Sequence, residues 1–129
     1  MGGYELAFTM RERVAGGAVM VELRGEIDIL ADQELGPRLE ALAACCPDLV
    51  VDLSAVTFLD ASGLRLLLRT RNQLARRGGR LRVVPGGPRV SRVIRIAGLR
   101  TAFEWLEGTP MAEAPMAQEC SFQDGGVPA

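Results

Sequence analysis

The feature that most constrains the fold is a short apolar run that gives way to a helical pattern. Residues 48–53 read DLVVDL, which is short enough for a strand and apolar enough to be buried on both faces. From Leu64 onward leucines recur at helical spacing, with arginines on or beside the opposite face, until Gly78 and Gly79. A buried strand followed by an amphipathic helix predicts an α/β fold in which residues 48–53 form the central parallel strand.

Strand and helix patterns also alternate on both sides of this unit. Apolar residues alternate with a period of two before and after Gly16-Gly17, which predicts a β-hairpin, and four further segments carry helix or strand patterns. The apolar positions are Tyr4, Leu6, Phe8, Val19, Val21 and Leu23 in the hairpin; Leu35, Leu39, Leu42 and Cys46 in a first helix; Leu81, Val83 and Val84 in a strand; Val90, Val93, Ile94 and Ala97 in a third helix; and Phe103, Trp105 and Leu106 in a last short strand or packed segment. The sequence therefore predicts a mixed sheet of four to five strands, first a hairpin and then parallel strands, with three to four helices packed on it.

One position conflicts with the helical pattern. Gly36 and Pro37 fall inside the first helix, where a proline loses a backbone hydrogen bond and collides with the preceding turn. We therefore expect a short first turn and a helix that restarts near Pro37, since proline suits the first position of a helix.

The domain organisation follows from length and composition. With 129 residues the chain has room for one domain, which we place at residues 1–107, while residues 108–129 lack a sustained period and are expected to form a loose tail. No apolar run reaches the roughly 18 residues of a membrane helix, and the N-terminus lacks the order of a secretory signal. The expectation is a cytoplasmic protein without a membrane partner.

Two missing residue types exclude much of common enzymology. The chain contains no histidine, so imidazole bases, Ser-His-Asp triads and histidine-ligated zinc sites are excluded. Every basic residue is an arginine, which excludes a P-loop lysine or a Schiff base. Cys45, Cys46 and Cys120 match neither a zinc-ligand spacing nor a disulfide framework, and we interpret them as reduced thiols, two of them packing at a helix end. We expect no enzyme activity, no metal and no cofactor.

Charge is distributed unevenly along the chain. Residues 61–103 carry eleven arginines and no acidic residue, whereas residues 1–60 carry four arginines and eleven acidic residues. Such a basic stretch is compatible with nucleic-acid binding, but the arginines lie at helical spacing without the interleaved aromatic residues of a single-strand binder. We favour a solvated helix face that offsets the acidic first half, and we expect no direct contact with nucleic acid.

The strand-to-helix segment DLSAVTFLDASGL holds the candidate functional residues. It leads from the buried strand through a short loop to Asp60 and Ser62 at the start of the second helix. A helix start presents unpaired backbone N–H groups and a partial positive charge, so Ser62 fits both a plain N-cap and a site where an added phosphate is electrostatically favoured. The residues alone favour the N-cap.

The stretch DLSAVTFLDASGLRLLL resembles the signature D-L-S-x-V-x-F-[ILM]-D-[SA]-S-G-L of STAS domains, in particular the bacterial anti-sigma factor antagonists. VELRGEIDI resembles the strand of that family that ends in G-E-[LI]-D. RRGGRLRVV resembles the strand after its second helix, and PRVSRVIRIAGLRTAFEW resembles its third helix and final segment. The four pieces occur in the family's order over about residues 4–106.

The resemblance implies a regulatory binding module without catalysis. In this family an anti-sigma factor that is also a GHKL-type serine kinase phosphorylates the serine that corresponds to Ser62. The unphosphorylated antagonist binds the anti-sigma factor and frees the sigma factor, the phosphorylated form does not, and a serine phosphatase restores it. The expected partners are therefore the anti-sigma factor and the phosphatase.

The resemblance also assigns expected roles to the surrounding residues. Asp60 either holds the loop through backbone N–H groups or orients the Ser62 hydroxyl, and Ala61 replaces the first serine of the motif, leaving one hydroxyl. Gly63 is expected to leave the backbone uncovered for a partner. Asp28, at the acidic end of the family's G-E-[LI]-D, either contacts a basic residue of the anti-sigma factor or caps the next helix. Arg65 stands where many members have a small residue, so it is expected to select a partner or to bind the phosphate.

Two other functions fit parts of the sequence. STAS proteins also serve as accessory subunits of lipid-transport ABC complexes, and the pair Asp60 and Ser62 disfavours that role without excluding it. A phosphoaspartate receiver domain, with Asp52 or Asp60 at the end of the central strand, would need a lysine beside the phosphoryl group and an acidic pair after the first strand. The sequence supplies neither.

Overall fold

A computed structural model describes residues 7–106 of the chain, and these residues form an α/β fold with one five-stranded sheet. Chain order alternates strands and helices after an initial hairpin, as the sequence predicts. The elements are β1 (Phe8–Ala15), β2 (Ala18–Ile27), α1 (Ile29–Cys45), β3 (Asp48–Leu59), α2 (Ala61–Arg76), β4 (Arg80–Val84), α3 (Pro88–Ile96), a 3₁₀ turn (Arg100–Ala102) and β5 (Glu104–Trp105). Tyr4 and Leu6, which the hairpin prediction includes, lie outside the described residues, as do residues 107–129.

The five strands lie side by side in chain order, with β1 antiparallel to β2 and the remaining pairs parallel. Each crossover therefore moves one strand in the same direction, and the right-handedness of such crossovers brings α1, α2 and α3 to the same face. The main core lies between that face and the helices, and its alternating strand residues are completely or almost completely buried, including Val21, Leu23, Val51 and Leu53. β3 is the middle strand, which confirms its expected central position.

The opposite face of the sheet carries a second, smaller cluster. Ala18, Met20, Val50 and Val84 are buried there, and Leu106 packs against them just after β5. These residues alternate along their strands with the main-core residues, as the period of two in a strand requires. None of the three described helices lies on this face.

The prediction that the first helix restarts near Pro37 is wrong. α1 runs without interruption from Ile29 to Cys45 with Pro37 inside it. Leu35 and Leu39 hold the turns on either side of Pro37 against the core, while Pro37 itself is exposed, so its ring faces solvent. Burial of the apolar face outweighs the missing hydrogen bond, which costs about 3 kcal/mol in a helix interior.

One boundary near the strand-to-helix segment also differs from the sequence prediction. β3 does not end at Leu53 before a short loop but continues to Leu59, because β2 pairs with it along that length, including Glu26 with Phe58 and Ile27 with Leu59. None of the described helices is long and apolar enough to cross a membrane.

Candidate functional site

The carboxyl ends of β2 and β3 lie next to each other and define the candidate site. Ile27 pairs with Leu59, and each is followed by an aspartate and then by a helix. The backbone N–H of Asp60 also approaches the carbonyl oxygen of Ile27 at 3.5 Å. The N-termini of α1 and α2 therefore lie at the same end of the sheet, since the carboxyl ends of parallel strands lie on the same side.

Each aspartate caps the helix that follows it. Asp28 Oδ1 accepts hydrogen bonds from the backbone N–H groups of Leu30 and Ala31, at 3.1 and 3.2 Å. Asp60 Oδ1 accepts from Ser62 and Gly63, at 2.9 and 3.1 Å. These bonds satisfy backbone donors that a helix start leaves unpaired. The capping interpretation of Asp28 and the structural role of Asp60 are confirmed.

Ser62 is not the N-cap that the sequence pattern favours. α2 begins at Ala61 with Asp60 as its cap, so Ser62 lies inside the first turn and donates its backbone N–H to the cap. β3 continues to Leu59, and Asp60 alone separates it from α2, so the helix begins before Ser62 and not after it. Ser62 is half-buried. Its hydroxyl is therefore not needed to cap the helix.

Gly63 has a different role from the one expected. It is buried, so it does not offer an uncovered backbone to a partner. A Cβ atom built on Gly63 would lie 2.6 Å from the carbonyl oxygen of Ile27 and 2.5 Å from Cδ1 of Leu59. The absence of a side chain thus lets the first turn of α2 pack directly on the ends of β2 and β3.

The remaining residues singled out by the sequence lie on the outer side of this turn. Ala61 and Arg65 are exposed, whereas Asp28 and Asp60 are half-buried. The structure therefore brings Asp28, Asp60, Ala61 and Ser62 together at the ends of two adjacent strands, with Arg65 one turn further along α2.

Three apolar residues beside these polar ones are unusually exposed. Ile29, Leu30 and Phe58 have relative exposures of 56%, 59% and 47%. Ile29 and Leu30 follow the Asp28 cap in the first turn of α1, and Phe58 is the penultimate residue of β3. We call the surface formed by Asp28, Ile29, Leu30, Phe58, Asp60, Ala61, Ser62 and Arg65 the strand-end surface. Exposed apolar residues rimmed by polar ones are typical of surfaces that bind other proteins.

Sequence reasoning missed these three apolar residues because an apolar residue next to a strand or helix is ordinarily assigned to the core. The helical period contained one available signal. Ile29 and Leu30 fall outside the face that Leu35 and Leu39 define, so their exposure could have been deduced from the spacing.

Charged side chains link the helices near the strand-end surface. Arg69, in the second half of α2, donates to Asp32 in the first turn of α1 at 3.2 Å. Farther away, Arg82 pairs with Asp48 and Arg80 pairs with Glu104. Two of these pairs join the basic middle of the chain to its acidic first half, as the interpretation of the charge pattern requires. Most arginines of residues 61–103 nevertheless have no acidic partner among the described residues.

The described residues hold no group of three or more histidine, cysteine, aspartate or glutamate side chains that could bind a metal ion.

Cys45 and Cys46 lie at the end of α1 with their sulfur atoms 3.4 Å apart. Partial burial and the neighbouring Cys45 raise the pKa of the Cys46 thiol from 9.0 to about 11, so this thiol is protonated at neutral pH. Cys46 packs against the main core, as expected for a helix-end residue, while Cys45 is exposed.

Comparisons with known proteins agree with this geometry. The family model for the STAS domain matches residues 9–111. The chain is 33% identical to the anti-sigma-F factor antagonist RsfB of Mycobacterium tuberculosis over 88 residues, which cover 67% of this chain and 71% of that protein. It is 30% identical to the anti-sigma-B factor antagonist of Bacillus subtilis over 82 residues, which cover 64% of this chain and 75% of that protein. The crystal structure of an anti-sigma factor antagonist from Mycobacterium paratuberculosis superposes with a TM-score of 0.72 at 34% identity, covering 81% of this chain and 89% of the other.

Proposed function

Because this chain belongs to the STAS domain family, we propose that it is an anti-sigma factor antagonist that binds an anti-sigma factor and so releases a sigma factor. We further propose that the partner docks on the strand-end surface and that phosphorylation of Ser62 ends the binding. The observation that carries the proposal is the position of Ser62, half-buried in the first turn of α2 among exposed apolar residues.

The names of the relatives support the choice of partner. Two relatives at 30% and 33% identity are named antagonists of anti-sigma factors, and a structural neighbour at 34% identity carries the same description. The chemistry of the surface is consistent with a protein partner. Ile29, Leu30 and Phe58 supply apolar area that gains free energy when a partner removes it from water, and the carboxylates beside them can orient a basic side chain.

The proposed switch is a single phosphoryl transfer. The anti-sigma factor acts as a serine kinase and transfers the γ-phosphoryl group of ATP to Oγ of Ser62, which loses its proton while ADP leaves. A serine phosphatase hydrolyses the ester and restores the hydroxyl. Because Asp60 caps α2, the helix does not need the Ser62 hydroxyl as a cap. The hydroxyl can therefore be modified without loss of the cap.

The phosphate would weaken binding for electrostatic reasons. It adds about −1.5 to −2 charges at pH 7 next to the capping carboxylate of Asp60. A partner surface that fits a neutral hydroxyl and exposed apolar residues then meets a strongly hydrated anion, whose desolvation opposes association.

The first experiment is to incubate the purified protein with ATP and candidate anti-sigma factors of the kinase type and to measure its intact mass. We expect one added phosphate, mapped to Ser62 by peptide fragmentation. Ser62→Ala should abolish the mass increase, while Ser91→Ala, on α3 away from the strand-end surface, should not. Phosphate on another serine, or none with a partner that binds stably, would contradict the switch.

The second measurement is binding of the same anti-sigma factor by titration calorimetry. Ser62→Ala should bind as tightly as the unmodified protein, and Ser62→Asp should bind at least about tenfold more weakly, since each tenfold change corresponds to about 1.4 kcal/mol. Equal affinities of all three forms would indicate a binding module that does not depend on phosphorylation.

A further inference from the structure

Arg65 is the arginine nearest to Ser62 along α2. The two residues are three positions apart, a spacing that places their Cβ atoms about 5–6 Å from each other on the same side of a helix. Arg65 is exposed and Ser62 is half-buried. The guanidinium can therefore reach a group attached to the Ser62 hydroxyl without a change in the backbone.

Arg65 also lacks a competing acidic partner within the part of the chain that the structure describes. The next arginine on the helix, Arg69, differs in this respect because Asp32 holds it at 3.2 Å. Arg65 thus has its charge available where Arg69 does not.

The surroundings of Ser62 make a nearby cation significant. Asp28 and Asp60 directly follow the two adjacent strands β2 and β3. Their negative charges repel a further anion placed at these strand ends. The N-terminal end of α2 offers a partial positive charge, but the Asp60 cap already accepts two of its backbone N–H groups. Within α2, Arg65 supplies a full positive charge one turn away from Ser62.

We propose that Arg65 binds the phosphate of phosphorylated Ser62 through its guanidinium and is thereby withdrawn from the strand-end surface. This inference rests on the proposed function, since it requires that Ser62 carries a phosphate. Phosphorylation then changes the surface in two ways, because it adds an anion and engages a cation that is otherwise exposed.

The test uses protein with phosphoserine inserted at position 62 during synthesis, so that no kinase is needed. The phosphate is titrated by ³¹P nuclear magnetic resonance in four proteins: the parent and the variants Arg65→Gln, Arg65→Lys and Arg92→Gln. The second pKa of phosphoserine is about 6, and an adjacent cation lowers it by favouring the dianion. We expect Arg65→Gln to raise this pKa by roughly 0.3 units, the size typical of a solvent-exposed ion pair.

The control variant carries the same substitution on an exposed arginine of α3. Arg92→Gln should leave the phosphate pKa unchanged, and Arg65→Lys should retain at least part of the lowering because it keeps the positive charge. Equal pKa values in the parent and Arg65→Gln, or the same rise in Arg92→Gln, would overturn the proposal. Failure of every kinase to modify Ser62 would count against the proposed function alone, since the inserted phosphoserine still tests the contact with Arg65.

Discussion

Gly63 shows how a single missing side chain holds the site together. Its Cα lies so close to β2 that an added Cβ would collide with the carbonyl oxygen of Ile27, which cannot rotate away. We expect Gly63→Ala to lower the free energy of unfolding by about 1–3 kcal/mol, the usual cost of overpacking. Urea unfolding followed by circular dichroism measures this change.

Gly36 provides a matched control in the other helix. It is also buried, but a Cβ there would meet side-chain atoms and no backbone within 4 Å: Nη2 of Arg69 at 3.2 Å, Oδ1 of Asp32 at 3.6 Å and Cδ1 of Leu66 at 3.9 Å. Gly36→Ala should change the free energy of unfolding by less than about 1 kcal/mol, because the preference of a helix interior for alanine is opposed by crowding between the new Cβ and the ring of Pro37. A Gly63→Ala protein as stable as the parent would contradict the close packing of α2 on the strand ends.

Phe58 allows the strand-end surface to be tested at one apolar residue. Its side chain is 47% exposed, so Phe58→Ala should change stability little but should weaken binding of the anti-sigma factor about tenfold or more, as aromatic anchors of interfaces do. Ile96→Ala is the control, because Ile96 is 71% exposed on α3, away from the two strand ends. Equal losses in both variants, or none in Phe58→Ala, would place the interface elsewhere. Titration calorimetry of both variants decides between these results.

At the scale of elements, α1 contains a proline that the helix tolerates but does not need. Pro37 cannot donate a hydrogen bond to the preceding turn, and its interior position costs about 3 kcal/mol. Pro37→Ala removes that cost but also gives the unfolded chain more freedom, which offsets roughly 1 kcal/mol. We expect the free energy of unfolding to rise by about 1–2 kcal/mol, measured by urea unfolding. A decrease in the free energy of unfolding would contradict the cost assigned to Pro37 in the folded state.

The elements also show which parts of the structure could be predicted from sequence. The apolar run of β3, the leucine stripe of α2 and the turn at Gly16-Gly17 are strong local signals, and all three elements form. Pro37 misled the prediction because the core contacts of Leu35 and Leu39, which are not local, decide whether α1 continues. The local sequence shows that a proline destabilises the helix, but it does not show the burial of neighbouring leucines that compensates for it.

The candidate site was predictable to a similar extent. The strand-to-helix transition identifies Asp60 and Ser62, but it does not show which of them caps α2. The cap depends on where β3 ends. That end is set by pairing with β2, which is a distant segment of the sequence. Phe58 is exposed although it pairs with Glu26 in the sheet, whereas the next residue, Leu59, is buried in the main core. A strand pattern by itself does not show which residues at the end of a strand are covered by helices packed on the sheet.

At the scale of the whole molecule, both clusters of buried side chains that the described residues form lie before residue 107. The buried side chains of the main core extend from Phe8 to Phe103, and the smaller cluster on the other face ends with Leu106. We therefore expect a protein that lacks residues 108–129 to keep its fold. Its far-ultraviolet circular dichroism should match that of the full chain, and it should still unfold in one cooperative thermal transition, because the residues that form both clusters are retained. A truncated protein that shows helix content but no cooperative transition would contradict the domain boundary after residue 107.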